Sequence, residues 1–198
     1  MLHSRVILFG GTFEPPHIGH LMLARLALEQ MEANEVWLIP SASPPHKEAV
    51  TLNYDVRRQM AQALVSDTPG LRVMGIEETL PRPSYTVETV LTCQSLYPDT
   101  EFLFLLGADS LAALPSWRRA QELSQCVAFV VAVRWGFPFA ETYQRVKDQL
   151  PLLRATVMEM PIIDVSSSWL RARFLSGQPM CGLVPDKVLA IWSRHFQR

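Results

Sequence analysis

Short apolar runs of strand length alternate with segments of helical spacing along most of this 198-residue chain. The runs fall at 5–9, 35–40, 71–75, 101–106, 126–133 and 155–160, and the helical patterns at 18–32, 54–67, 84–96, 109–124 and 139–149. Runs such as Val6-Ile7-Leu8-Phe9 and Phe102-Leu103-Phe104-Leu105-Leu106 are apolar at odd and even positions alike. Strands of that kind are buried on both faces, so helices must cover both sides of the sheet they form. Right-handed crossovers between parallel strands then predict a doubly wound, Rossmann-like α/β fold, with ligands bound outside the carboxyl ends of the strands. The chain beyond residue 160 reads differently: Ser166 to Ser176 and Asp186 to Phe196 are helical patterns separated by Gly177, Pro179, Gly182 and Pro185. The expectation is one domain over 1–198, a Rossmann-like core at 1–160 carrying a small C-terminal helical unit at 161–198.

The first run empties into Gly10-Gly11-Thr12-Phe13-Glu14-Pro15-Pro16-His17-Ile18-Gly19-His20. A glycine pair at a strand end lets backbone amides approach an anion closely. The unpaired amides of a helix's first turn favour negative charge. His17 and His20 are spaced to share one helical face, and Gly19 between them leaves room for a ligand against the backbone. A lone histidine at a helix start is usually a cap or a solvated side chain, and a lone glycine pair is usually a turn. The ordered string is what points to binding and polarising a phosphate.

Further strings sit at successive loops. Ser41-Ala42-Ser43-Pro44-Pro45-His46-Lys47 is a proline-stiffened loop that presents a lysine, suited to a phosphate though also readable as solvated surface. In Ser84-Tyr85-Thr86, before the helical pattern that follows, Ser84 or Thr86 is expected as the N-cap. Capping leaves the aromatic Tyr85 unexplained. Gly107-Ala108-Asp109-Ser110 follows the fourth run, where Asp109 either accepts from ribose hydroxyls or caps a helix. Trp117 is expected on an amphipathic helix beside Arg118 and Arg119. Finally Ser166-Ser167-Ser168-Trp169-Leu170-Arg171 puts hydroxyls and a guanidinium at a helix start, a grip for phosphate oxygens.

Composition excludes several function classes. With 18 basic against 19 acidic residues the formal charge is −1, no footprint for a nucleic acid. Cys93, Cys126 and Cys181 are widely spaced and odd in number, which suits neither a disulfide framework nor a zinc cluster and fits a reducing cytoplasm. The first apolar run leads straight into the glycine loop, so it reads as a strand and not as a signal segment. No apolar stretch approaches membrane-spanning length.

The string from Gly10 to His20 resembles the signature of the HxGH nucleotidyltransferase superfamily. His-Ile-Gly-His also occurs in class I aminoacyl-tRNA synthetases, but this chain is too short for one and holds no Lys-Met-Ser-Lys-Ser string. The ordered set, closing with Gly182-Leu183-Val184-Pro185-Asp186-Lys187-Val188, resembles the bacterial nicotinate-nucleotide adenylyltransferases from Arg5 to about Trp192. It departs from their usual pattern at Glu14, where Asp is usual, and in Ser168-Trp169-Leu170, where Thr-x-Ile is usual; both keep the type of functional group.

The resemblance implies adenylyl transfer from ATP to nicotinate mononucleotide, giving deamido-NAD and pyrophosphate, with Mg²⁺ carried on the ATP phosphates. It implies catalytic roles for His17, His20 and Arg171, and an ATP site made of Gly10, Gly11, Thr12, Phe13, His17, His20, Gly107, Asp109, Ser166, Ser167 and Arg171. The mononucleotide site would be Thr12, His46, Lys47, Ser84, Tyr85, Thr86 and Trp117, with Trp117 stacking on the pyridine. A homo-oligomer is compatible with the sequence; a nucleic-acid or membrane partner is not expected. The alternatives are adenylyl transfer to nicotinamide mononucleotide or phosphopantetheine, and a non-catalytic nucleotide-binding protein. A zinc hydrolase built on His17, His20 and His46 lacks an HExxH string or an acidic base.

Overall fold

The computed structural model describes residues 4–44, 51–134, 138–161, 163 and 165–196. His46 and Lys47 of the expected mononucleotide site lie outside them. Among the described residues, six parallel strands form one sheet: β1 (Ser4–Gly11), β2 (Glu35–Pro40), β3 (Leu71–Val73), β4 (Thr100–Gly107), β5 (Ala128–Arg134) and β6 (Ala155–Met160). Their order is β3-β2-β1-β4-β5-β6, the doubly wound arrangement expected. The chain reverses its direction of travel across the sheet between β1 and β4, where a crevice opens at the strands' carboxyl ends.

The helices are α1 (Ile18–Gln30), α2 (Tyr54–Val65), α3 (Thr86–Leu96), α4 (Ala108–Ala113), α5 (Ala120–Cys126), α6 (Phe139–Gln149), α7 (Ser167–Leu175) and α8 (Asp186–His195). Alternation along β1 assigns the two layers. Ile7 and Phe9 face a core shared with Ala24 and Ala27 of α1, Met60 of α2 and Trp192 of α8. Val6 and Leu8 face a second core with Val87 and Val90 of α3, Leu111 of α4, Leu123 of α5 and Val146 of α6. Both faces are covered, as strands apolar at every position require.

The expected helix over 109–124 is two helices. Pro115 converts the chain to a short 3₁₀ turn at Leu114–Ser116, Trp117 is extended, and Arg119 takes φ 54° before α5 begins. Proline lacks the N–H that a continued helix needs and clashes with the turn before it. Trp117 therefore stands in the break and not on a helix.

The C-terminal helices dock on the same layer as α1 and α2. Trp192 is fully buried, with Phe174 of α7 at 4.5 Å and Phe196 at 5.5 Å between ring centroids. The Ile18 amide at the head of α1 donates to the Leu183 carbonyl, so the C-terminal turn closes onto the histidine string. No described helix is long and apolar enough to cross a membrane.

Candidate active site

Two cavities meet at the carboxyl ends of β1 and β4. The smaller, about 500 Å³, is bounded by the glycine string after β1, the exit of β2, the head of α3 and Trp117. The larger, about 770 Å³, is bounded by His17, His20, the β6 exit and Ser166–Ser168. Gly107, Asp109 and Ser110 line both. A Cβ at Gly107 would meet nothing within 4 Å, so the backbone there borders open space.

His17 is the N-cap residue of α1, with extended backbone (φ −149°, ψ 176°). Its ring is 5% exposed, and burial pulls its pKa down to about 4, so it is neutral at physiological pH. His17 Nδ1 is buried with no hydrogen-bond partner, which is costly unless something completes it. Gly19 is needed for this packing. A Cβ there would stand 3.0 Å from the His17 ring, and Gly19 also borders the larger cavity, so its bare backbone both seats the imidazole and faces open space. Gly11 has a similar use: Phe13, at φ 53°, folds its ring to within 2.9 Å of where a Cβ would be. A bulky side chain in the left-handed region is rare and is held there by its surroundings. Phe13 packs edge-on to Phe9 at 5.6 Å and His20 at 5.2 Å, is 1% exposed, and lines neither cavity. Gly10, Gly11 and Thr12 border the smaller cavity and not the one that holds the histidines.

The linker from Thr12 to His17 is tied from two sides. Glu14 Oε1 accepts from the Thr51 amide (2.8 Å), the Thr51 hydroxyl (2.9 Å) and the Leu52 amide (2.5 Å). Arg57, 1% exposed, donates to the Thr12 carbonyl at 2.9 Å and the Leu52 carbonyl at 3.2 Å. From the other side, the Ser167 hydroxyl donates to the Pro15 carbonyl (2.9 Å) and Arg171 Nη1 to the Glu14 carbonyl (2.7 Å). Ser166 is the N-cap of α7, accepting from the Trp169 amide at 3.2 Å. Ser166 and Ser167 line the larger cavity, whereas Arg171 stands behind them and fixes the loop that carries the histidines.

In the smaller cavity, Tyr85, and neither Ser84 nor Thr86, is the N-cap residue of α3, and no side chain caps the helix. Ser84 lines the cavity with its polar groups already paired: its hydroxyl accepts from the Ser43 amide (3.0 Å), and its own amide donates to the Ser43 carbonyl (2.9 Å). Tyr85 and Thr86, at the helix start where first-turn amides lack intrahelical partners, border the cavity. Trp117 stands edge-on to Phe104, centroids 6.3 Å apart. The Arg118 guanidinium lies 5.7 Å from the Tyr85 ring centroid.

Glu77, Phe104 and Arg118 are among the lining residues to which sequence reasoning gave no role. Arg118 had a signal, its place beside Trp117. Phe104 reads as core, and Glu77 in Glu77-Glu78 looks like any solvated acidic pair.

Comparison with known proteins agrees with this architecture. A family model described as Cytidylyltransferase-like matches residues 8–173. The chain is 36% identical over 186 residues to the nicotinate-nucleotide adenylyltransferase of Bacillus subtilis, covering 93% of each. It is 37% identical over 187 residues to a probable nicotinate-nucleotide adenylyltransferase of Geobacillus thermodenitrificans, covering 93% of this chain and 82% of that one. Among solved structures, Plasmodium falciparum nicotinic acid mononucleotide adenylyltransferase complexed with NaAD superposes with a TM-score of 0.79 at 17% identity, over 97% and 96% of the two chains. The shared fold, the motif string that seats both histidines and the extent of the sequence match together make this chain a member of the cytidylyltransferase-like family, among its nicotinate-nucleotide adenylyltransferases.

Proposed function

We propose that this chain transfers the adenylyl group of ATP to nicotinate mononucleotide, forming deamido-NAD and pyrophosphate in NAD biosynthesis. The observation that carries the reading is the meeting of two cavities at Gly107–Ser110, one bordered by paired histidines and a serine-rich helix start, the other by the head of α3 and an aromatic ring. The larger takes ATP. Its triphosphate lies along His17, His20, Ser166 and Ser167, Asp109 holds the ribose, and Met160 and Val165 offer apolar surface to the base. The smaller takes the mononucleotide, with Trp117 against the pyridine and the head of α3 facing the ring carboxylate. His46 and Lys47, outside the described residues, are assigned to the mononucleotide on the family resemblance alone.

An oxygen of the mononucleotide phosphate attacks the α-phosphorus, and the bond from that phosphorus to the bridging oxygen of pyrophosphate breaks. A phosphate nucleophile is already ionised, so the protein needs no general base. Its work is positioning and stabilising charge on the α-phosphoryl oxygens. Neutral His17 contributes as a hydrogen-bond donor and not as a cation. Mg²⁺ fits as a counter-ion carried on the ATP phosphates, where it supplies charge neutralisation for the leaving pyrophosphate. Among the described cavity-lining carboxylates, Glu77 already accepts at both oxygens, and only Asp109 is exposed. The free thiols fit a cytoplasmic enzyme.

ATP labelled at the α-phosphorus tests the reaction. Label should pass to a dinucleotide containing the pyridine ring, in step with pyrophosphate. Label found only in AMP would mean hydrolysis and would overturn the proposal.

A further inference from the structure

The reaction as described leaves Glu77 without a part. This residue sits in a 3₁₀ turn at Ile76–Glu78, is 7% exposed, and borders the smaller cavity. Its carboxylate is held by two neutral donors: Oε2 accepts from the Ala42 amide at 3.0 Å, and Oε1 from the Thr89 hydroxyl at 3.1 Å. The Arg57 guanidinium acts on this carboxylate through space, its own bonds going to the Thr12 and Leu52 carbonyls, so the two neutral donors are the ties that fix where the carboxylate sits.

The two donors belong to different walls of the cavity. Ala42 lies in the connection leaving β2, whose Ser41 and Pro44 line one side. Thr89 lies in α3, whose head, with Ser84, Tyr85 and Thr86, lines another. The paired bonds between Ser43 and Ser84 join the same two walls further out. Glu77 reaches both from beneath.

We propose that Glu77 is a positioning residue for the acceptor. It fixes the spacing between the β2 exit and the amides at the head of α3, and thereby sets affinity for the mononucleotide while leaving ATP binding untouched. The inference rests on the smaller cavity being the acceptor site. Neither partner of Glu77 lines the larger cavity, so its effect is confined to one substrate.

Gln fits the same place. Its amide oxygen accepts from Ala42, and its NH₂ donates to the Thr89 hydroxyl, which can turn its proton to the Tyr85 carbonyl 3.4 Å away. Positioning therefore predicts that Glu77→Ala and Glu77→Gln part company. Both would be measured by pyrophosphate release with each substrate varied, and by calorimetric binding of nicotinate mononucleotide to the intact protein.

Glu77→Ala should raise the acceptor KM and Kd about tenfold or more, with ATP KM within about twofold, while Glu77→Gln stays within about threefold of wild type on all three. Acceptor binding unchanged in Glu77→Ala, or an equal rise in both KM values, would overturn the inference. If Glu77→Ala does not fold, Thr89→Val decides. It removes one tie with little change of volume, and should raise the acceptor KM about threefold or more and spare ATP; no change would again refute the role. Wild-type protein that binds no nicotinate mononucleotide would refute the acceptor assignment itself, a result separate from either variant.

Discussion

The backbone amide of His17 donates to Nδ1 of His20 across 3.2 Å, with the two rings 3.8 Å apart between centroids. This bond fixes the tautomer of His20. With Nδ1 accepting, the neutral ring carries its proton on Nε2. A side chain at the third helical position that accepts from the N-cap amide is one half of a capping box. Here the same bond that starts α1 also orients the His20 ring at the edge of the larger cavity.

If His20 donates to oxygens that gain charge only in the transition state, His20→Ala lowers kcat by about 10²–10³ with little change in the ATP KM. Steady-state pyrophosphate release measures both. Normal turnover at saturating ATP would remove His20 from the mechanism.

His17 carries a pH signature. Its folded pKa, about 4, lies below the ordinary histidine value of 6.5, because burial disfavours the charged ring. Between those values the unfolded chain binds the extra proton, so stability rises with pH from about 4 to 6.5 and is flat beyond on this account. The full effect is at most about 3 kcal/mol. Urea unfolding of wild type and His17→Gln across pH 4–7 should show a steeper loss toward acid in wild type. Parallel slopes would mean that the ring is not buried neutral.

Arg171 borders neither cavity and holds the Glu14 carbonyl from behind. The sequence reading assigned it to the triphosphate. From its place behind the loop it is a support instead, and Arg171→Ala removes a tie on the histidine loop. Stability should fall by about 1.5–3 kcal/mol, the worth of a charge-assisted hydrogen bond, and kcat should fall while ATP affinity stays within a few-fold. Urea unfolding, steady-state turnover and calorimetry with ATP check it. ATP affinity weakened by one to two decades would return Arg171 to the triphosphate.

Gly19→Ala separates helix stability from catalysis. Alanine improves helix propensity by about 1 kcal/mol, but its Cβ would stand 3.0 Å from the His17 ring. The expected outcome is stability within about 1 kcal/mol of wild type with kcat lowered about tenfold as the ring is displaced. Full activity would show that the position of His17 is not critical.

The sheet was readable because β1, β4 and β5 are apolar at consecutive positions, a pattern that only two-sided burial explains. The placing of both histidines and of Ser166 at helix starts was readable because their neighbours in sequence are their neighbours in space, whereas the cap that Ser166 makes to the Trp169 amide was not read. Most of what escaped depends on distant partners. Ser84 looked like a cap, yet its hydroxyl turns to Ser43, 41 residues away in sequence. Glu14 and Glu77 look like surface acids and are buried staples, since only the fold brings Thr51, Ala42 and Thr89 to them. The broken helix at Pro115 was signalled by the proline but outweighed by the apolar spacing around it.

Acceptor choice tests the central claim most directly. A nicotinate carboxylate only accepts hydrogen bonds, and the first-turn amides at the head of α3 only donate; a nicotinamide group would set its own NH₂ against them, at about 1–3 kcal/mol for each group left unpaired. Pyrophosphate release should be measured with nicotinate mononucleotide, nicotinamide mononucleotide and phosphopantetheine, in wild type and Trp117→Ala. The account predicts at least about tenfold higher kcat/KM for the acid over the amide. Trp117→Ala should weaken both mononucleotides without reversing their order, because stacking does not read the ring substituent. Equal turnover of the two mononucleotides would contradict carboxylate recognition, and turnover of phosphopantetheine alone would contradict the assigned reaction.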